Sequence, residues 1–134
     1  MSNGNLIIRI GIGLIFIWGG LEKFIPGFLG GPGLEGASGF VGGVFGIEGT
    51  IATILTVVLA LAELGAGLLV ISGKKLFLAY AALTVIMLVA IITVWLPAGL
   101  KDMSGNNNVT WVTLITHIGL LLILAGQTLN HKKS

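Results

Sequence analysis

The chain has 134 residues, of which 55% are hydrophobic and only 9% are charged. Its mean hydropathy is +1.07, whereas a soluble domain carries about 25% charged residues, so lipid is the expected solvent. The absence of cysteine excludes disulfides, thiolate catalysis, iron–sulfur ligation and covalent haem attachment by this chain alone, and a dispersed formal charge of +2 gives no basic stripe for nucleic acid.

Four apolar runs each approach the roughly 20 residues needed to cross a bilayer. Backbone groups in lipid must be satisfied within their own segment, so the runs predict helices. The expected fold is all-α, a four-helix transmembrane bundle with a Gly-rich interfacial loop between helices 1 and 2. It is read as a single membrane domain over residues 1–134, with helices at about 6–24, 50–73, 76–96 and 109–129.

The first run is Leu6–Phe24. Arg9, Gly13, Phe16, Gly20 and Lys23 share one face of it at helical spacing, and Trp18 and Glu22 lie on another. Met1–Asn5 lacks a basic region, Arg9 interrupts the apolar run and no small-residue cleavage site follows, so the run reads as a retained helix.

Ile25–Gly49 holds ten glycines and two prolines, which argue against a long helix. Interleaved Phe28, Leu29, Phe40 and Phe45 suit an interfacial or re-entrant loop packed on the bundle. It is either a plain surface loop or a lid over an outward-facing cavity.

The second run, Thr50–Ser72, carries one charge, Glu63, near its middle. A carboxylate at such depth costs about 2.5–3.5 kcal/mol on insertion scales and needs a partner, a proton or a water-filled cavity. Thr53, Thr56, Ala60, Glu63 and Gly67 form a small and polar stripe, which is expected to face inward. The very short Gly73-Lys74-Lys75 connection predicts an antiparallel hairpin into the third run, Leu76–Leu96.

Pro97–Asn108 reads as an outer loop and ends at a glycosylation sequon, Asn108-Val109-Thr110, too close to the membrane for use. In the fourth run, Val109–Leu129, Thr113, His117, Leu120, Leu124 and Gln127 line up. His117 and His131 have the spacing of stacked haem ligands, but no second helix supplies matching histidines, so neither haem nor metal is expected from this chain alone.

Arg9, Lys74, Lys75, Lys132 and Lys133 fall on one side of the four spans, against Lys23 and Lys101 on the other. This asymmetry places both termini in the cytoplasm, in a multi-pass protein of the cell membrane. Counting from the run boundaries, Arg9 and His117 are both about 8–10 Å from Glu63 along the membrane normal. An arginine with modest tilt closes that gap, and a histidine needs a water. Each polar residue also has a plainer role. Glu63 is then a structural hydrogen-bonding residue, protonated or clamped to Arg9. Arg9 snorkels to the inner surface, His117 bonds a threonine such as Thr84 or Thr113, and Glu22 and Lys23 form a solvated pair at the outer interface.

The first run, Leu6-Ile7-Ile8-Arg9 through Gly19-Gly20-Leu21-Glu22-Lys23-Phe24, and the second, Leu61-Ala62-Glu63-Leu64-Gly65-Ala66-Gly67-Leu68-Leu69, resemble the two motifs of the DoxX family of small four-helix membrane proteins. The Gly-rich first connection and the short turn into Leu76–Ala90 fit as well, and the fourth run fits only loosely. Arg9, Lys23 and Glu63 match as motif positions. Relatives include subunits of thiosulfate:quinone oxidoreductases, membrane partners of thiol- and superoxide-handling enzymes, and assembly chaperones, so the resemblance implies a redox-linked membrane role.

The leading expectation is a quinone-associated, non-autonomous subunit of a membrane oxidoreductase. Glu63 and His117 are the candidate proton relay. Arg9, Lys23, Glu63 and Trp18 are the candidate quinone or polar-cleft residues. A protein partner carrying the redox centre, or a homo-oligomer, completes this picture. A non-catalytic assembly factor or scaffold is the alternative. A small transporter is the third reading, weakened by the lack of an inverted repeat.

Overall fold

The computed structural model describes residues 3–27, 30–101 and 108–133, with the side chains of residues 99, 101 and 108–110 outside the description. Phe28, Leu29 and Asp102 also lie outside the described residues, as do the first two asparagines of the third connection. The elements are α1 (Asn3–Glu22), α2 (Gly33–Phe45), α3 (Gly49–Ser72), α4 (Leu76–Ala90), a π-helical turn (Ile91–Trp95), α5 (Leu96–Lys101) and α6 (Asn108–Asn130). There is no strand among the described residues. Four segments are long and apolar enough to cross a membrane: Asn3–Glu22, Gly49–Ser72, Leu76–Ala98 and Trp111–Asn130. The chain is an all-α, multi-pass membrane protein. Its internal contacts gather into two units, Met1–Lys75 and Leu76–Ser134.

In the first unit α1 and α2 both pack on α3. The buried face of α1 is Arg9, Ile12, Gly13, Phe16, Gly19 and Gly20, a stripe at spacings of three and four. The facing stripe of α3 includes Ala52, Thr56, Ala60, Glu63, Ala66, Gly67 and Val70. The two helices touch almost backbone to backbone. A β-carbon on Gly20 would lie 2.8 Å from the Ala60 carbonyl oxygen, so only glycine permits this approach. The buried Thr56 hydroxyl turns back on the Ala52 carbonyl at 2.7 Å, which leaves no orphan in the seam there.

The connection between the first two spans differs from the expected loop, because thirteen of its residues form α2. Five glycines in that helix each cost roughly 1 kcal/mol against alanine. Packing of Ala37 and Val41, both buried, offsets this cost. Pro32 at the N-cap and Gly46 in the left-handed conformation at the C-cap (φ 68°) set the ends. Tertiary contact thus overrides a poor local propensity.

The second unit is an antiparallel pair made by α4, with its π-helical extension, and α6. Tyr80 stacks on His131 (5.6 Å between centroids), Thr84 and Thr128 share a hydrogen bond of 3.2 Å, and Trp95 packs on His117 at 4.9 Å. The π-helical turn precedes Pro97, whose ring has no N–H and crowds the carbonyl four residues back. The widened turn bonds the Leu96 N–H to the Ile91 carbonyl instead. The glycosylation sequon forms the first turn of α6.

Candidate functional site

The polar residues of the first unit sort into two clamps along the α1–α3 seam. At one end Arg9, buried on α1, donates from Nε to the Val70 carbonyl (2.9 Å) and from Nη2 to the Ile71 carbonyl (2.7 Å). These carbonyls belong to the last turn of α3, where backbone acceptors lack helical partners and the macrodipole favours a cation. Gly73 lies so close that a β-carbon there would meet Nη2 at 2.9 Å.

At the other clamp, Lys23 Nζ lies 3.3 Å from Oε1 and 3.3 Å from Oε2 of Glu63, and donates to the Gly19 carbonyl at 2.8 Å. Glu22 Oε1 stands 3.8 Å from the same nitrogen. The lysine and Glu63 side chains are only 15% and 10% exposed, so the pair sits largely inside the protein. Gly19 makes room for it, because a β-carbon there would lie 2.6 Å from Glu63 Oε2. The geometry gives a charge-assisted ion pair between two membrane helices, with a third carboxylate at its edge.

Glu63 therefore has its basic partner from another helix, and that partner is Lys23. Two expectations are corrected by this. Arg9 does not clamp Glu63, since its guanidinium grips the end of α3. Glu22 and Lys23 do lie in ion-pair range, at 3.8 Å, but not as a solvated pair, since Lys23 turns inward and both side chains are mostly covered. The reason is stagger. Gly20 packs at Ala60, eleven residues after the start of α3, so α3 runs about 16 Å beyond that level. The end of α1 therefore meets the middle of α3. The lysine stem also folds back toward the helix N-terminus, as helical side chains do, and this carries Nζ to the level of Glu63.

Trp18 lies on another face of α1 and is 39% exposed. One turn on from it is Glu22, at the edge of the pair. His117, in the second unit, is half-buried and bonds the Thr113 carbonyl through Nδ1 at 2.7 Å. A carbonyl only accepts, so Nδ1 is the donor in this bond.

The motif positions Arg9, Lys23 and Glu63 thus all lie in one helix seam, and the DoxX family model matches residues 4–96, well over half of the chain. The chain belongs to the DoxX family. Comparison with curated proteins and with solved structures finds no match. The DoxX match covers α1 to α4 and stops before α6, so His117 stands outside it. Within the DoxX region, sequence reasoning missed one participant in the site, the Gly19 carbonyl. The Gly19-Gly20 pair was its only signal, since paired glycines on a buried helix face mark a close approach.

Proposed function

We propose that this DoxX-family chain is a quinone-associated subunit of a membrane oxidoreductase, in the cell membrane with both termini cytoplasmic. The observation that carries the reading is the Lys23–Glu63 pair, a carboxylate within an apolar span and an ammonium group reaching it from the end of α1. A quinone, when bound, accepts two electrons and two protons. The electrons come from a partner's flavin, metal or thiol centre, because no cysteine is available in this chain. Lys23 is suited to donate a hydrogen bond to a carbonyl, Glu63 to pass a proton, and exposed Trp18 to offer an aromatic face to a ring in lipid. His117 is the second relay candidate, in its own unit.

The test is a titration of the nanodisc-reconstituted protein with a short-chain ubiquinone or menaquinone. Saturable binding, weakened about tenfold or more in Glu63→Gln, is the expected result, equivalent to losing one charge-assisted bond of about 1.5 kcal/mol. Absence of saturation at any concentration overturns the reading.

A second reading, the non-catalytic assembly factor, rests on a specific observation. Lys23 already donates to the Gly19 carbonyl and to Glu63 Oε2, with Glu63 Oε1 also in ion-pair range. A pair engaged this far within the protein can set helix register with no chemistry of its own. Glu63→Gln then lowers the yield of assembled complex and leaves turnover per complex unchanged.

A further inference from the structure

A cleft of about 620 Å³ opens between α2 and the first turn of α3, away from the Lys23–Glu63 pair, and Glu35, Ser38 and Glu48 are among the residues lining it. Glu35 lies in the first turn of α2; past Gly46 the chain turns back so that the Ile47 carbonyl lies beside Gly42, which sets Glu48 about 10 Å along α2 from Glu35. Among the described residues, no lysine, arginine or histidine lines it. Both acids are exposed and neither has an ion pair among the described residues. Glu48 occupies the N-cap position of α3, but its side chain makes no capping hydrogen bond.

The floor points to an occupant as well. Gly39 and Gly43, one turn apart on α2, have no atom within 4 Å of where a β-carbon would stand. Each weakens the helix relative to alanine and returns no packing within the unit. Beside them Ser38 is 9% exposed, and its Oγ is buried without a hydrogen-bond partner. A buried hydroxyl of this kind usually finds an acceptor or donor, in a helix most often the carbonyl four residues back. An open glycine floor, an unused hydroxyl and a carboxylate at each end define an elongated site for a ligand with a positive group at both ends.

We infer that this cleft binds a linear aliphatic di- or polyamine. Its terminal ammonium groups pair with Glu35 and Glu48, and its methylene chain lies along Gly39 and Gly43. A chelated metal fits less well, because among the described residues no three histidine, aspartate or glutamate side chains come together.

The experiment is calorimetric titration of the protein in zwitterionic nanodiscs with putrescine, spermidine and spermine, with empty nanodiscs subtracted. Affinity is expected to rise with chain length beyond what added charge alone explains, and to exceed that for ethanolamine and for Mg²⁺. The double variant Glu35→Gln/Glu48→Gln should weaken spermidine about tenfold, from two exposed ion pairs of about 0.7 kcal/mol each. Gly39→Leu should abolish binding while the helix is retained, since the new side chain enters open space. Binding that is independent of amine length, equal for Mg²⁺, equal for the single ammonium of ethanolamine or unchanged in both variants overturns the assignment. So does a change of oligomeric state in Gly39→Leu, which would make the glycine floor a contact between copies of this chain.

Discussion

Lys23 reaches from the end of α1 to place its ammonium 3.3 Å from both carboxylate oxygens of Glu63, in the middle of α3. This pairing accounts for a charge inside a span that is otherwise uncharged. A lone carboxylate at that depth is expensive, and a partner that also bonds the Gly19 carbonyl satisfies both sides of the pair. The pair and the Arg9 clamp together fix the register of α1 on α3 at two heights.

The first prediction concerns the seam between those heights. Gly20→Leu should destabilise the protein by about 1–3 kcal/mol, because the side chain must displace the Ala60 carbonyl and Leu64. Gly119→Ala, where no atom lies within 4 Å, should be neutral or stabilising by up to about 1 kcal/mol. Thermal unfolding of both variants in nanodiscs gives the comparison, and equal stabilities would contradict the close packing.

Arg9→Lys should not be a conservative change. The guanidinium reaches two successive carbonyls from different nitrogens, and a single ammonium loses that fork. A loss of about 2 kcal/mol is expected, from one charged hydrogen bond. Hydrogen exchange should speed up at the backbone amides of Gly73 and Lys74, which bond to the last turn of α3, and stay unchanged in α6.

Orientation is open to direct labelling, because the chain has no cysteine to remove. A membrane-impermeant maleimide should label Glu48→Cys in intact cells and Lys74→Cys only after permeabilisation. The reverse pattern would place the termini outside.

Much of this arrangement could be read from the chain, and what escaped did so for physical reasons. The four spans are legible because apolar runs of that length have few other fates. The inward stripe of α3 is legible because Thr56, Ala60, Glu63 and Gly67 recur at helical spacing, and all four are buried, whereas Thr53, expected with them, is only half-buried. Glu63's partner was not legible. Counting depth from run boundaries assumes that every helix starts at the same plane, whereas α1 and α3 are staggered, so Lys23 looked interfacial and Arg9 looked near. Helix α2 was hidden by its glycines, whose cost is met by contacts that composition does not reveal. The role of His117 depends on Trp95 and the π-helical turn before Pro97, a backbone detail with no signature beyond the proline itself.

Glu63 on α3 is held by Lys23 from the end of α1, and a double-mutant cycle on unfolding in nanodiscs tests this most directly. Lys23→Met and Glu63→Gln alone should each cost about 3–5 kcal/mol, as for breaking one side of a buried pair. The double variant should cost less than their sum by at least about 1 kcal/mol, while Arg9→Met and Glu63→Gln should add without coupling. Additive costs for Lys23 and Glu63, or a coupling energy that appears instead between Arg9 and Glu63, would contradict the account.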